Sequence, residues 1–237
     1  MTPAESPIDA SHATDGPTSP NTVRRDGARQ PGGTVTMTAS AWDERYAEQP
    51  DLGHPATNEF VVALLADVAP GAALDLGAGS GRNAVWLAER GWQVRAVDFS
   101  EVGLASAREL ANQRGVTIET ELADVTDYEP DPGQWDLVLI SYLQLPTDQR
   151  HDVLARAAHW VRPGGRLLVI AHDRANIDRG YGGPRSAEVS YTPDDTVDAL
   201  DGLHIERAET VERRVETDAG PRIALDTLVL ATRPPAD

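Results

Sequence analysis

The run Leu74-Asp75-Leu76-Gly77-Ala78-Gly79-Ser80-Gly81 closes a short apolar stretch that begins at Ala72. It stands directly before a helical pattern at about 82–90, in which Val85, Leu87 and Ala88 face inward. Glycines at alternate positions let a backbone turn tightly from strand to helix. They also bring a ligand close to the amides of the helix N-terminus. Taken alone, such a triplet is equally a tight connection. The following strand, Gln93 to Asp98, gives it meaning, because Asp98 lies 17 residues after Gly81 at a strand end. A carboxylate there can accept hydrogen bonds from a ribose diol.

The same alternation continues on both sides of this loop. Before it, Phe60, Val61, Leu64, Leu65 and Val68 recur at helical spacing until Pro70-Gly71 stops them. After it, Ser100 can cap a helix to about Arg114 that Gly115 ends. A strand over 116–122, a polar stretch to Gln134 and a strand over 136–140 follow. Pro146-Thr147-Asp148 opens a helix to about Val161, and Pro163-Gly164-Gly165 leads into a strand over 166–171. Leu137-Val138-Leu139-Ile140 and Leu167-Leu168-Val169-Ile170 are continuously apolar, as strands covered on both faces should be. A helix at about 193–200 precedes two long strands, 203–216 and 221–232, joined by Asp218-Ala219-Gly220. These form an antiparallel hairpin on the sheet edge. The prediction is an α/β fold, a mostly parallel sheet with helices on both faces, occupying residues 41–237.

Residues 1–40 are rich in Pro, Gly, Ser and Thr, with isolated apolar residues at Ile8, Val23 and Val35, and predict a disordered tail. Met37 is an alternative point for translation to begin, so residues 1–36 need not be present in the native protein. The chain has 237 residues, no cysteine and a formal net charge of −17, with arginine supplying all 21 basic side chains. The missing cysteines exclude disulfides and thiolate chemistry. A strongly negative field repels phosphate backbones and anionic lipid, so neither nucleic acid nor membrane is an expected partner. No apolar run approaches the ~18 residues of a membrane span, and a cytoplasmic location is expected. His54, His151, His159 and His204 show no metal spacing, and no metal is expected.

The glycine spacing separates two nucleoside cofactors. A nicotinamide fingerprint requires Gly-x-Gly-x-x-Gly, whereas here Arg82 occupies the place of the third glycine. Asp75-x-Gly77-x-Gly79-x-Gly81 instead resembles the first motif of the class I S-adenosylmethionine-dependent methyltransferases, and the resemblance runs over about residues 41–232. It implies a Rossmann-like seven-stranded sheet whose last strand is reversed. It implies that Gly77, Ala78 and Gly79 wrap the donor and that Asp98 binds the ribose. By the same resemblance Asp124 holds the adenine amino group, Val125 turns its amide to the ring and Phe99 packs on it. Trp135 to Tyr142 resembles the fourth-strand motif, placing Ser141 beside the methionine part. Gly81-Arg82-Asn83 and Trp42-Asp43-Glu44-Arg45-Tyr46 resemble a bacterial subgroup related to tellurite-resistance and thiopurine methyltransferases. That likeness makes Arg45, Tyr46 and Asn83 candidates for the amino-acid end of the cofactor, although Trp42 and Tyr46, one helical turn apart, could also simply pack. Asp75 is expected to order the loop.

Methyl transfer from a sulfonium is an in-line displacement in which alignment and exclusion of water do most of the work. A base is needed only for an acceptor that arrives protonated. His172 and Tyr142 follow the fifth and fourth strands and are the candidate catalytic side chains. Residues 174–192, with Arg174, Arg179 and Arg185, form a candidate lid whose charge could draw an anionic acceptor. The expected activity is methylation of an O, N or S atom of a small molecule, releasing S-adenosylhomocysteine. A noncatalytic S-adenosylmethionine-binding protein and a nicotinamide oxidoreductase are the alternatives. Oligomeric state is left open.

Overall fold

The glycine loop lies at the end of β1 (Ala72–Leu76), whose alternating side chains separate into two buried clusters on opposite faces of the sheet. Leu74 and Leu76 face one cluster and Ala73 the other. The same parity repeats in β4 (Trp135–Ser141) and β5 (Val161–His172): Val138, Ile140, Leu167 and Val169 point one way, Leu137, Leu139, Leu168 and Ile170 the other. This is why the runs 137–140 and 167–170 are apolar at every position. The structure is a computed structural model and describes residues 38–48 and 56–236. The expectations for the N-terminal tail, for Met37 and for His54 fall outside the described residues.

Seven strands form one sheet in the order β3-β2-β1-β4-β5-β7-β6. β2 (Gln93–Asp98) and β3 (Glu119–Leu122) extend it on one side of β1, and β4 and β5 on the other, all parallel. β7 (Arg222–Thr232) inserts antiparallel beside β5, and β6 (His204–Val215) pairs antiparallel with β7 as the edge. The hairpin and the reversed last strand are thus as the sequence indicated. α2 (Glu59–Leu65) and α3 (Arg82–Glu89) cover one face, where Val61, Leu65, Trp86 and Leu87 are buried. α4 (Glu101–Arg114) packs beside α3 through Leu110 and Ala111 against Val85. α5 (Thr147–Trp160) covers the other face with Leu154, Ala157 and Trp160. α1 (Ala39–Glu48) lies against α4. The strand order reverses between β1 and β4, which opens a crevice at the carboxyl ends of the strands.

Some boundaries differ from the sequence reading for local reasons. β3 starts at Glu119, because Val116 and Ile118 pack under α3 and α4 before strand pairing begins. β5 starts at Val161, and the glycine turn is a bulge inside it: Trp135 pairs with Val161 but Leu137 with Arg166. Gly164 donates to the Arg233 carbonyl and Arg233 to that of Gly165, which holds the bulge against the end of β7. Between β5 and β6 the chain forms a short α6 (Asn176–Arg179), a 3-10 turn (Ala187–Val189) and α7 (Pro193–Val197). No helix among the described residues is long and apolar enough to cross a membrane.

Candidate functional site

The loop after β1 is held by its own backbone. Gly77 and Ala78 both donate to the Val97 carbonyl, and Gly79 donates to Oδ2 of Asp98 at 2.8 Å. Gly79 has φ +53, and a Cβ there would meet the Tyr46 hydroxyl, so Tyr46 seats on a bare backbone surface. Asp98 Oδ1 accepts from the Ser100 amide at 2.9 Å. Each carboxylate oxygen keeps lone-pair capacity for a further donor. Burial pushes the Asp98 pKa up, while the amides of Ser100, Gly79 and Phe99 act the other way. Ser100 caps α4 through Gly103 and donates to Asp43 of α1, and this contact fixes α1 above the loop.

Beyond the loop opens a cavity of about 950 Å³, running across the carboxyl ends of the strands. All thirteen side chains or loop positions singled out in the sequence line it: Arg45, Tyr46, Gly77, Ala78, Gly79, Asn83, Asp98, Phe99, Asp124, Val125, Ser141, Tyr142 and His172. Asp124 is tied by Thr126, whose amide and hydroxyl both donate to its Oδ1. Asn83 Oδ1 accepts from the Asn58 amide, which joins the start of α3 to the cap of α2. Polar atoms buried on this wall with no hydrogen-bond partner among the described residues include Ser141 Oγ and Arg45 Nε. Arg45 stacks on Trp42 at 5.0 Å, and Trp42 on Tyr46 at 5.7 Å.

Next to Ser141 the backbone turns into a left-handed conformation at Tyr142, φ +58, uncommon for a bulky side chain. Its hydroxyl donates to Asp226 Oδ2 at 2.7 Å and accepts from Asn58 at 3.1 Å. Burial, then the charge of Asp226, raise the Tyr142 pKa, so the phenol keeps its proton. Asp226 is the direct cross-strand partner of His172 in the β5–β7 ladder. His172 Nδ1 lies 3.5 Å from Asp226 Oδ1, longer than a standard hydrogen bond, and both atoms are buried with no closer partner. From β6, Arg213 Nε donates to Asp226 Oδ2 at 2.6 Å. Burial alone would raise the Asp226 pKa, but the contacts from His172, Arg213 and Tyr142 outweigh it and hold the group ionised. The His172 and Tyr142 rings lie 4.7 Å apart.

Asp226, Arg213, Asn58 and Arg82 were not singled out as site residues in the sequence. Asp226 carried one visible signal, a lone acid inside the apolar run Ala224 to Ala231. The arginines of residues 174–192 are placed differently from expectation. Arg174 pairs with Asp195, Arg185 donates to the Ile177 carbonyl, and no residue of 174–192 lines the cavity. The segment is pinned instead: Glu188 bonds Thr147 and Arg150, and Asn176 bonds Leu225 and Gly182. Among the described residues no group of three His, Cys, Asp or Glu side chains could hold a metal ion.

Comparison with known proteins agrees with this geometry. Residues 73–165 match the model of a methyltransferase domain. A demethylmenaquinone methyltransferase of Clavibacter sepedonicus is 32% identical over 170 residues, covering 67% of this chain and 67% of that protein. A ribosomal RNA small subunit methyltransferase C of Alcanivorax borkumensis is 32% identical over 108 residues, 44% of this chain and 33% of its own length. The chain spans a third to about half of the length of several curated relatives it matches. Among solved structures, TehB from Haemophilus influenzae shares the fold with a TM-score of 0.65 at 18% identity, covering 81% of this chain and 67% of that one.

Proposed function

The chain belongs to the class I S-adenosylmethionine-dependent methyltransferases, and on that premise we propose that it methylates an oxygen, nitrogen or sulfur atom of a small-molecule acceptor. The observation that carries this reading is the single cavity joining the glycine loop and Asp98 to the Tyr142–His172–Asp226 cluster. When bound, S-adenosylmethionine supplies a methyl group on a sulfonium that leaves as a thioether. The residues present fit that donor. Asp98 has lone pairs left for a ribose diol, and Phe99, Asp124 and Val125 stand beside it for the adenine. Arg45 and Ser141 bring polar atoms that lack partners, with Tyr46 and Asn83, to the amino-acid end. The nicotinamide alternative falls with the family assignment.

On the acceptor side His172 takes the proton of the attacking group. Asp226 acts on it as a positioning residue, favouring the tautomer with hydrogen on Nδ1 and stabilising the imidazolium that forms. Tyr142 keeps its proton and its two hydrogen bonds, so its role is a wall that orients acceptor and imidazole. The acidic character of the molecule supports a small acceptor over a nucleic acid.

Release of S-adenosylhomocysteine over a panel of phenols, thiols, amines and acids tests the proposal, with donor affinity read separately by calorimetry. Asp98→Ala should weaken S-adenosylhomocysteine binding by ~1–3 kcal/mol through lost ribose hydrogen bonds. His172→Ala should lower kcat by about 100-fold with donor affinity retained. Full turnover of every accepted substrate by that variant removes His172 from the mechanism. Tight donor binding with no product across the panel would favour a noncatalytic donor-binding protein.

A further inference from the structure

About half of the arginines among the described residues pair with a carboxylate. Arg95, Arg108, Arg156, Arg174, Arg207 and Arg214 each pair with Glu or Asp at the surface. Arg82 is among those that do not. It is half-buried at the start of α3, its guanidinium lies 5.3 Å from the Tyr142 ring, and it faces the cavity. Among the described residues its guanidinium forms no ion pair and no side-chain hydrogen bond. The acid behind it, Asp75, has its pKa pushed up to about 7, chiefly by burial, and so is only partly charged near neutrality. On the same ring, Arg213 sits at 5.5 Å with Nε committed to Asp226. Asp226 is shared among Arg213, Tyr142 and His172, so it does not neutralise Arg82.

A half-buried guanidinium with no ion pair is partly desolvated at a cost, which a ligand supplying negative charge in the cavity would offset. The donor does not do so. Its sulfonium, ammonium and carboxylate sum to one positive charge, and its single carboxylate is matched by Arg45. A second negative group is therefore required at the acceptor side.

Resting on the methyltransferase reading, we propose that the acceptor is an organic acid, carrying a carboxylate that Arg82 binds, with Arg213 beside it. Its nucleophile then lies by Tyr142 and His172. The anion site belongs to Arg82 and Arg213 rather than to the arginines of residues 174–192, which are engaged elsewhere or off the cavity.

The test begins with calorimetric titration of S-adenosylhomocysteine into the wild-type protein and the Arg82→Gln and Arg82→Lys variants. The protein saturated with S-adenosylhomocysteine is then titrated with matched pairs: benzoate and benzamide, phenylacetate and phenylacetamide, hexanoate and hexanamide. At least one acid should bind tenfold or more tightly than its amide. Arg82→Gln should abolish that preference while S-adenosylhomocysteine affinity stays within twofold, and Arg82→Lys should keep part of it. Amides that bind as well as acids, or no binding by any acid, would overturn the proposal. So would an Arg82→Gln variant that loses S-adenosylhomocysteine tenfold but still prefers acids, since Arg82 would then serve the donor. Failure of the wild-type protein to bind S-adenosylhomocysteine is a separate outcome: it strikes the methyltransferase reading, and this inference goes with it.

Discussion

Asp75 is buried in the middle of β1, and neither of its carboxylate oxygens has a hydrogen-bond partner. Burial raises its pKa from 3.8 to about 7, with Asp98 adding to the rise and Arg82 and the Ala84 amide opposing it. Between those two values the native chain holds a proton that the unfolded chain has released. The contribution of Asp75 to stability is therefore fullest below about pH 4, falls as pH rises, and levels off above about pH 7, at a slope of up to ~1.4 kcal/mol per pH unit. Asp75→Asn keeps the shape without the titration. Urea unfolding at pH 8 should show the variant more stable by ~2–4 kcal/mol, with the two proteins converging near pH 4.5. Parallel curves across that range would mean that Asp75 is not the group responsible. Single residues were unevenly legible in the sequence. The position of Asp98 beside the glycine loop could be read because it depends on distance along the chain. That of Asp226 could not, because it comes from cross-strand pairing with His172, a relation that only the inserted position of β7 creates.

Gly81 shows the same limit at the level of packed elements. It adopts φ +76 as the cap of α3, and a Cβ added there would lie 2.6 Å from the Ala107 Cβ of α4. Two separate penalties meet, a left-handed backbone and a helix contact too close for a methyl group. Gly81→Ala should cost ~1–3 kcal/mol by chemical denaturation. Adding Ala107→Gly removes the Cβ clash but leaves the Cα of residue 107 at 3.1 Å and the backbone strain, and it brings ~1 kcal/mol of its own from glycine inside a helix. The double variant should therefore remain less stable than wild type; complete recovery would show that strain at position 81 is negligible. Helices and strands themselves were legible from periodicity and caps, since Ser100, Gly115 and the apolar β4 and β5 runs act locally. The misread stretches were those whose form depends on a neighbour: the bulge in β5 held by Arg233, and residues 174–192, which read as a candidate lid without regular structure but are pinned by Glu188 and Asn176.

The whole molecule carries −17, and the cavity at the carboxyl ends of its strands presents a guanidinium that has no ion pair among the described residues. These two facts act over different distances. At about 10 mM salt the Debye length is about 30 Å, so an approaching organic acid meets the net negative field before it reaches Arg82. At about 150 mM the Debye length is about 8 Å; the long-range repulsion is screened, while contacts inside a half-buried cavity lose much less. Methylation of an acidic acceptor should then show kcat/KM rising by roughly two- to tenfold between those salt concentrations, with kcat nearly constant. A neutral analogue that is also turned over should show a flat profile. Arg82→Gln should raise KM for the acid yet keep the same relative salt response, because the response belongs to the net charge and not to the guanidinium. A kcat/KM that falls with salt would mean that the cavity's positive potential governs the encounter from outside the molecule, so that the −17 total is not what an acceptor feels on approach.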